Sequence, residues 1–142
     1  MKTVEQLLDE AANLGTDRII FPIDILAMAN ELADHPDRRA AIPGLTALLH
    51  HQWHFQRQVA LRALWRIGGD ALGPTVVSSA TSMVTSDDAP SVRAEAIRLL
   101  AVSARDQPLV RVALSQTAAS DDTTYVRAAA AEVLSRPTVS GQ

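Results

Sequence analysis

SDDAPSVRAEAIRLL, residues 86–100, returns as SDDTTYVRAAAAEVL at residues 120–134, shifted by 34 positions with no gap. Ser86, Asp87, Asp88, Val92, Arg93, Ala96 and Leu100 recur as Ser120, Asp121, Asp122, Val126, Arg127, Ala130 and Leu134. Thirty-six positions before Arg93 stands Arg57, with Ala60 and Leu64 at the same offsets. HHQWHFQRQVALRALWRIGG (50–69) is therefore a third, diverged copy. A period of this length is typical of stacked helical units, each apolar on one side and buried only by its neighbour.

Each copy has the same internal logic. In the middle copy, positions 92, 96, 99 and 100 fall on one helical face, with Ser103 a weak member. Alanine at 60, 96 and 130 leaves room for a neighbouring helix to approach closely. Before each of these helices lies another apolar segment with a proline: AAIPGLTALL (40–49), ALGPTVVSSATSMV (71–84) and DQPLVRVALSQTA (106–118). Pro43, Pro74 and Pro108 suit first turns, where a missing N–H costs little. Asp70 and Asp106 are expected N-caps of the latter two helices, and Gly68 and Gly69 a helix end. The unit is helix, short turn, helix. Upstream, Thr3 and Gln6 have capping-box spacing, in a helix expected to end at Gly15. A second helix is expected to begin near Asp17 or after Pro22 and to stop before His35.

These residues resemble HEAT repeats, and more narrowly the short HEAT-like repeats of the phycobilin-lyase type found in many bacterial proteins. That pattern has an Asp in the turn, Val-Arg six positions on, then spaced Ala and Leu. Asp87 to Arg93 and Asp121 to Arg127 keep the spacing, and GGDALGPTVVSSA (68–80) is similar to the family's first-helix opening. The resemblance covers residues 40 to 136. It implies an all-α fold, a short right-handed α-solenoid of HEAT-like helix pairs. Three clear repeats (40–69, 70–105 and 106–136) would follow a diverged N-terminal helix pair or cap (1–39). Together they would form one domain, 1–136, with 137–142 a flexible tail. It also implies a ladder in which the turn Asp and second-helix Arg of adjacent repeats pair: Asp87, Arg93, Asp121 and Arg127, with Arg57 from the first copy. The rival reading makes Asp87, Asp88, Asp121 and Asp122 a cation site or a catalytic acid pair. Their recurrence at identical repeat positions favours the structural role.

In HHQWHFQR (50–57), His50, His51 and Gln52 take the places of Ser86, Asp87 and Asp88. Trp53, His54 and Phe55 replace Ala89, Pro90 and Ser91, and Gln56 replaces Val92. A neutral imidazole at 51 is not expected to substitute for the ladder carboxylate. Three imidazoles raise the question of a metal, but the turn holds no acidic or cysteine ligand. The stretch is read as a polar turn whose Trp53 and Phe55 pack against the N-terminal helices, with partner contact as the other reading.

On the second helices, the face opposite the apolar centre carries Gln58, Arg62 and Trp65, with Arg66 at its edge. The matching positions are Ala94, Arg98, Ala101 and Val102, then Ala128, Glu132 and Ser135. Second helices line the concave side in solenoids of this class. Trp65 stands where the other copies have alanine and serine, beside two arginines, the composition of an interface hot spot. Arg62, Trp65, Arg66, Arg98 and Trp53 are the candidate contact residues for a protein partner with an acidic surface. The competing reading folds Trp65 down as a capping core residue.

The chain has 142 residues, 47% hydrophobic and 20% charged, as in a folded soluble domain. It has no cysteine, which excludes disulfides and thiolate sites. No apolar run approaches the roughly 20 residues of a bilayer span, and MKTVEQLLDEAANLG is no signal peptide, so the expectation is a cytoplasmic protein without membrane contact. The net charge of −3 gives no global attraction to nucleic acid. Residues 1–50 carry four basic and eight acidic side chains; residues 51–142 carry nine and eight, and all nine are arginine. No nucleophile, base and orienting group share a motif, and Gly68, Gly69 and Gly73 do not form a phosphate loop. The expectation is a protein without catalytic residues, cofactor or metal: an adaptor, regulator or immunity-like protein. The alternative is nucleic-acid binding by Arg57, Arg62, Arg66, Arg98 and Arg105, with Trp65 stacking on a base. The resemblance also raises a bilin-lyase-like subunit, which the lack of cysteine and the few aromatics oppose. The alanine-rich last helix, TTYVRAAAAEVL (123–134), is an expected edge for homodimerisation or docking.

Overall fold

Every regular element in the computed structural model, which describes residues 1–137, is helical. Eight α-helices occur among the described residues, and no strand does. They group into two units, residues 1–73 and residues 74 onward.

The first unit holds α1 (Val4–Ala12), α2 (Pro22–Asp34), α3 (Ile42–Leu48) and α4 (His54–Ile67), with 3-10 turns at Arg38–Ala41 and Gly69–Leu72. Thr3 Oγ1 accepts the Gln6 N–H at 3.1 Å and Gln6 Oε1 accepts the Thr3 N–H at 2.8 Å, so the capping box forms. Helix α1 stops at Ala12, ahead of Gly15, whose φ of +91° reverses the chain. Helix α2 starts at Pro22, where Asp24 Oδ2 accepts the Phe21 N–H at 2.9 Å. It packs along α4, while α1 packs on α2 and touches α3. At that crossing a Cβ on Gly44 would lie 2.6 Å from Leu8 Cδ1, so glycine sets the approach of α1 to α3. Leu32, Leu45, Leu49, Leu61 and Leu64 are fully enclosed. Each such leucine contributes about 1.5–3 kcal/mol relative to exposure.

The second unit holds α5 (Pro74–Ser86), α6 (Pro90–Ser103), α7 (Pro108–Ser120) and α8 (Thr124–Ser135). Helix α5 pairs with α6 and α7 with α8; α5 also lies on α7, and α6 on α8. First helices thus form one layer and second helices another. The first unit repeats this pattern, with α1 and α3 as first helices and α2 and α4 as second helices. Val92, Ala96 and Leu100 are buried in α6, and Val126 and Ala130 in α8, so the repeated apolar positions are core. Within each unit the architecture is that of helix pairs, consistent with a short α-solenoid.

Prolines mark the helix starts as expected at 43, 74 and 108, and also at 22 and 90. The two expected acidic N-caps are not caps. Asp70 sits inside the 3-10 turn and pairs with Arg39, and α7 is preceded by Gln107, which makes no side-chain cap. Both helices begin at the proline itself, which puts Asp70 four residues before the start of α5 and makes Gln107, not Asp106, the residue that precedes α7. Gly68 (φ +67°) closes α4, followed by Gly69 (φ +51°). Of the expected flexible tail, Pro137 accepts a hydrogen bond from Arg105 Nη2 at 2.8 Å, and residues 138–142 lie outside the described residues. Among the described residues no helix is long and apolar enough to cross a membrane.

Candidate functional site

The turn between first and second helix is built alike in all three copies. Arginine Nη1 donates to the carbonyl six residues earlier: Arg57 to His51 at 2.9 Å, Arg93 to Asp87 at 2.8 Å and Arg127 to Asp121 at 2.6 Å. The hook satisfies a carbonyl that the end of the first helix leaves without an intrahelical donor. The side chain at that turn position accepts the N–H two residues on. Asp87 Oδ1 takes Ala89 N–H and Asp121 Oδ1 takes Thr123 N–H, both at 2.9 Å; His51 Nδ1 takes Trp53 N–H at 3.1 Å. The expectation that histidine has no equivalent of the carboxylate is corrected in this respect. An imidazole whose Nδ1 carries no proton performs the local half of the aspartate's work.

The other half is the ion pair between repeats. Arg93 Nε lies 2.9 Å from Asp121 Oδ2 and Nη2 lies 3.1 Å from Oδ1; Nη2 also reaches Asp122 Oδ1 at 2.9 Å. The Arg93 and Asp121 side chains are 9% and 7% exposed. Burial by itself pushes the Asp121 carboxyl up, but the hydrogen bonds and charge of Arg93 outweigh it and hold the group below its ordinary value. Burial likewise pushes Arg93 down, and its carboxylate partners more than reverse that. This rung of the expected ladder is present. Helix α2 contains no lysine or arginine, so nothing on it takes the place that Arg93 has on α6. Arg127 bonds the Asp121 carbonyl and Thr124 Oγ1 (3.1 Å), with no carboxylate in ion-pair range among the described residues.

The three histidines of the turn do not converge. His51 Nδ1 is engaged as above, His54 Nδ1 lies 2.9 Å from Gln58 Nε2, and His50 is exposed. Among the described residues no group of three or more His, Asp or Glu side chains is arranged to hold a metal ion. Of the two aromatics expected to pack, Phe55 does so against Gly15, where a Cβ would lie 3.4 Å from its ring. Trp53 is 38% exposed and stands edge-on to His51, ring centroids 5.9 Å apart.

Two residues escaped the sequence reading. Gln56, in the slot of Val92 and Val126, is fully buried; its Nε2 donates to the Leu14 carbonyl at 2.7 Å and its Oε1 has no hydrogen-bond partner among the described residues. His35 is buried too, its Nδ1 accepting Asp37 N–H at 2.9 Å and its Nε2 lying 2.8 Å from the Lys2 carbonyl, the device His51 uses. The substitution of glutamine for valine was the available signal for the first. Nothing local marked the second.

On α4, the Arg62 guanidinium carbon lies 5.5 Å from the centroid of the half-buried Trp65 ring. Arg66 turns back to α2, with Nη1 3.0 Å from Asn30 Oδ1 and Nη2 2.9 Å from Asp34 Oδ1. Arg62, Trp65 and Arg66 therefore share one helix face. Arg98 belongs to α6 in the second unit, exposed and 3.8 Å from Glu95. Near the start of α2, Ile19, Phe21 and Ile23 are 77%, 59% and 66% exposed. Of the arginines proposed for nucleic acid, Arg57 and Arg105 are tied to carbonyls and Arg66 to Asp34.

The arrangement is a helical scaffold whose buried polar groups brace turns, without catalytic features among the described residues. No curated protein and no solved structure matches the chain. A family model described as HEAT repeats matches residues 42–135, from the first residue of α3 to the last of α8 and more than half of the chain. The chain belongs to the HEAT-repeat family.

Proposed function

We propose that the chain is a non-catalytic protein–protein interaction module, an adaptor, regulator or immunity-like protein of a bacterial cytoplasm. In this reading three clear repeats and the diverged N-terminal pair form one right-handed solenoid domain, whose concave second-helix face receives an acidic partner. The observation that carries it is Trp65. It is a half-buried aromatic with an arginine over its ring, at a position where the other copies carry alanine and serine. Tryptophan and arginine dominate binding energy at protein interfaces, and a ring already held by a guanidinium loses little freedom on docking. Asp34 offsets the charge of Arg66, and Glu95 lies beside Arg98.

The test is capture of partners from the source cell by the wild-type chain, Trp65→Ala and Arg62→Ala, alongside thermal unfolding. A partner lost by both variants, at unchanged melting temperature, supports the reading. A melting temperature that collapses with binding intact makes Trp65 a core residue instead. Salt-sensitive binding to short DNA by the wild-type chain would favour the nucleic-acid alternative.

A further inference from the structure

The last helix pair keeps the ladder arginine but changes its surroundings. Arg93, Ile97 and Leu100 of α6 are 7%, 2% and 0% exposed, and α6 packs against α8. Their equivalents 34 residues on are Arg127 and Leu134, half-buried, and Ala131, exposed. On the first helices Val77 and Val84, both buried, become Arg111 and Ala118, both half-buried. The outward edge of α7 and α8 is thus lined by small apolar side chains and two arginines. Arg127 has formed its hook but, among the described residues, has no carboxylate in the place that Asp121 fills for Arg93.

The outward edge of α1 and α2 has the opposite character. The lining of a groove there includes Glu10, Asp17, Asp24 and Glu31, together with Arg18 and Met28. Lys2 pairs with Glu10, and Arg18 pairs with Asp24. Asp17, exposed in the turn between first and second helix, has no hydrogen bond or ion pair among the described residues. That turn is the counterpart of the one that supplies Asp121.

We propose that a second copy of the chain stacks its α1–α2 edge on the α7–α8 edge, with Asp17 of one copy, two residues before the position that corresponds to Asp121, meeting Arg127 of the other. The junction joins unlike surfaces, so each added copy presents a fresh edge and association does not stop at two. An acidic edge against a basic one makes the contact salt-sensitive.

Sedimentation of the full chain at low salt tests this. The weight-average mass should climb with concentration past twice the monomer value and fall back in high salt. Asp17→Arg alone and Arg127→Ala alone should each remain monomeric, with circular dichroism and melting temperature showing them folded. Mixed in equal amounts they retain one native junction, Asp17 of the second variant with Arg127 of the first, and should give a complex that stops at two. A wild-type chain that stays monomeric at low salt overturns the proposal. So does a wild-type dimer that never grows, which would mean pairing through like edges, or association unaffected by both variants.

Discussion

The turn at His50–Arg57 and the turn at Ser120–Arg127 have the same backbone hook and different chemistry at its second position. In the later turn Asp121 caps a neighbouring N–H and holds Arg93 of the preceding pair. In the earlier turn His51 caps the equivalent N–H, and α2 carries no basic residue for a carboxylate to hold. The two roles are therefore separable, and the ladder loses both ends of a rung together. An aspartate at 51 would find no cation on α2; a neutral imidazole supplies the cap without that charge. The first pair is instead joined to α4 by Gln56 reaching Leu14 and by Arg66 reaching Asn30 and Asp34.

The hardest test of the contrast is Arg93→Ala. It leaves Asp121 enclosed without its cation and should cost about 3–5 kcal/mol, read from urea unfolding near neutral pH. The deficit depends on pH. The Asp121 carboxyl titrates lower in the folded chain than in the unfolded one, so the rung stabilises fully above the unfolded value, about 3.9, and is lost as pH falls through the folded value. The gap between wild type and Arg93→Ala should therefore shrink on acidification below about pH 4. A gap that stays constant from pH 7 to pH 3 would remove the rung from the explanation.

Gln56→Ala probes the other way of holding a pair. It deprives the Leu14 carbonyl of its donor, and a loss of about 1–3 kcal/mol is expected in the same assay. A neutral result would mean that the hydrogen bond merely offsets the cost of burying Gln56 Oε1.

The smallest effects belong to a rung rebuilt at the start. Arg93 is the fourth residue of α6, and Ile25 is the fourth of α2. His51→Asp alone should change stability by less than about 0.5 kcal/mol, since the cap is preserved. Combined with Ile25→Arg it should show a favourable coupling of about 1 kcal/mol in a double-mutant cycle. Zero coupling would show that position 25 does not face position 51 as Arg93 faces Asp121.

The helix pairs and the Arg93–Asp121 rung were legible in the sequence because the same residues recur at one spacing, and recurrence reports a shared environment. Arg62 beside Trp65 was legible from helical spacing alone. What depends on a single unrepeated contact was not. Asp70 resembles a cap until the start of α5 at Pro74 puts it out of reach. The exposure of Ile19, Phe21 and Ile23 had no signal in the sequence, because hydropathy does not say whether a neighbouring helix arrives to cover them. Arg66 looked like a contact residue, yet its partners Asn30 and Asp34 lie on a different helix, more than 30 positions away.

Arg93 grips its own turn at the Asp87 carbonyl and the following turn at Asp121, so a single guanidinium fastens two consecutive loops. If α8 frays and carries its leading loop away, the same side chain loses most of its donors' targets and slackens its hold on the loop behind. Melting of the second unit would then spread inward from its trailing helix like a zip, with Arg93 as the tooth whose release frees the next.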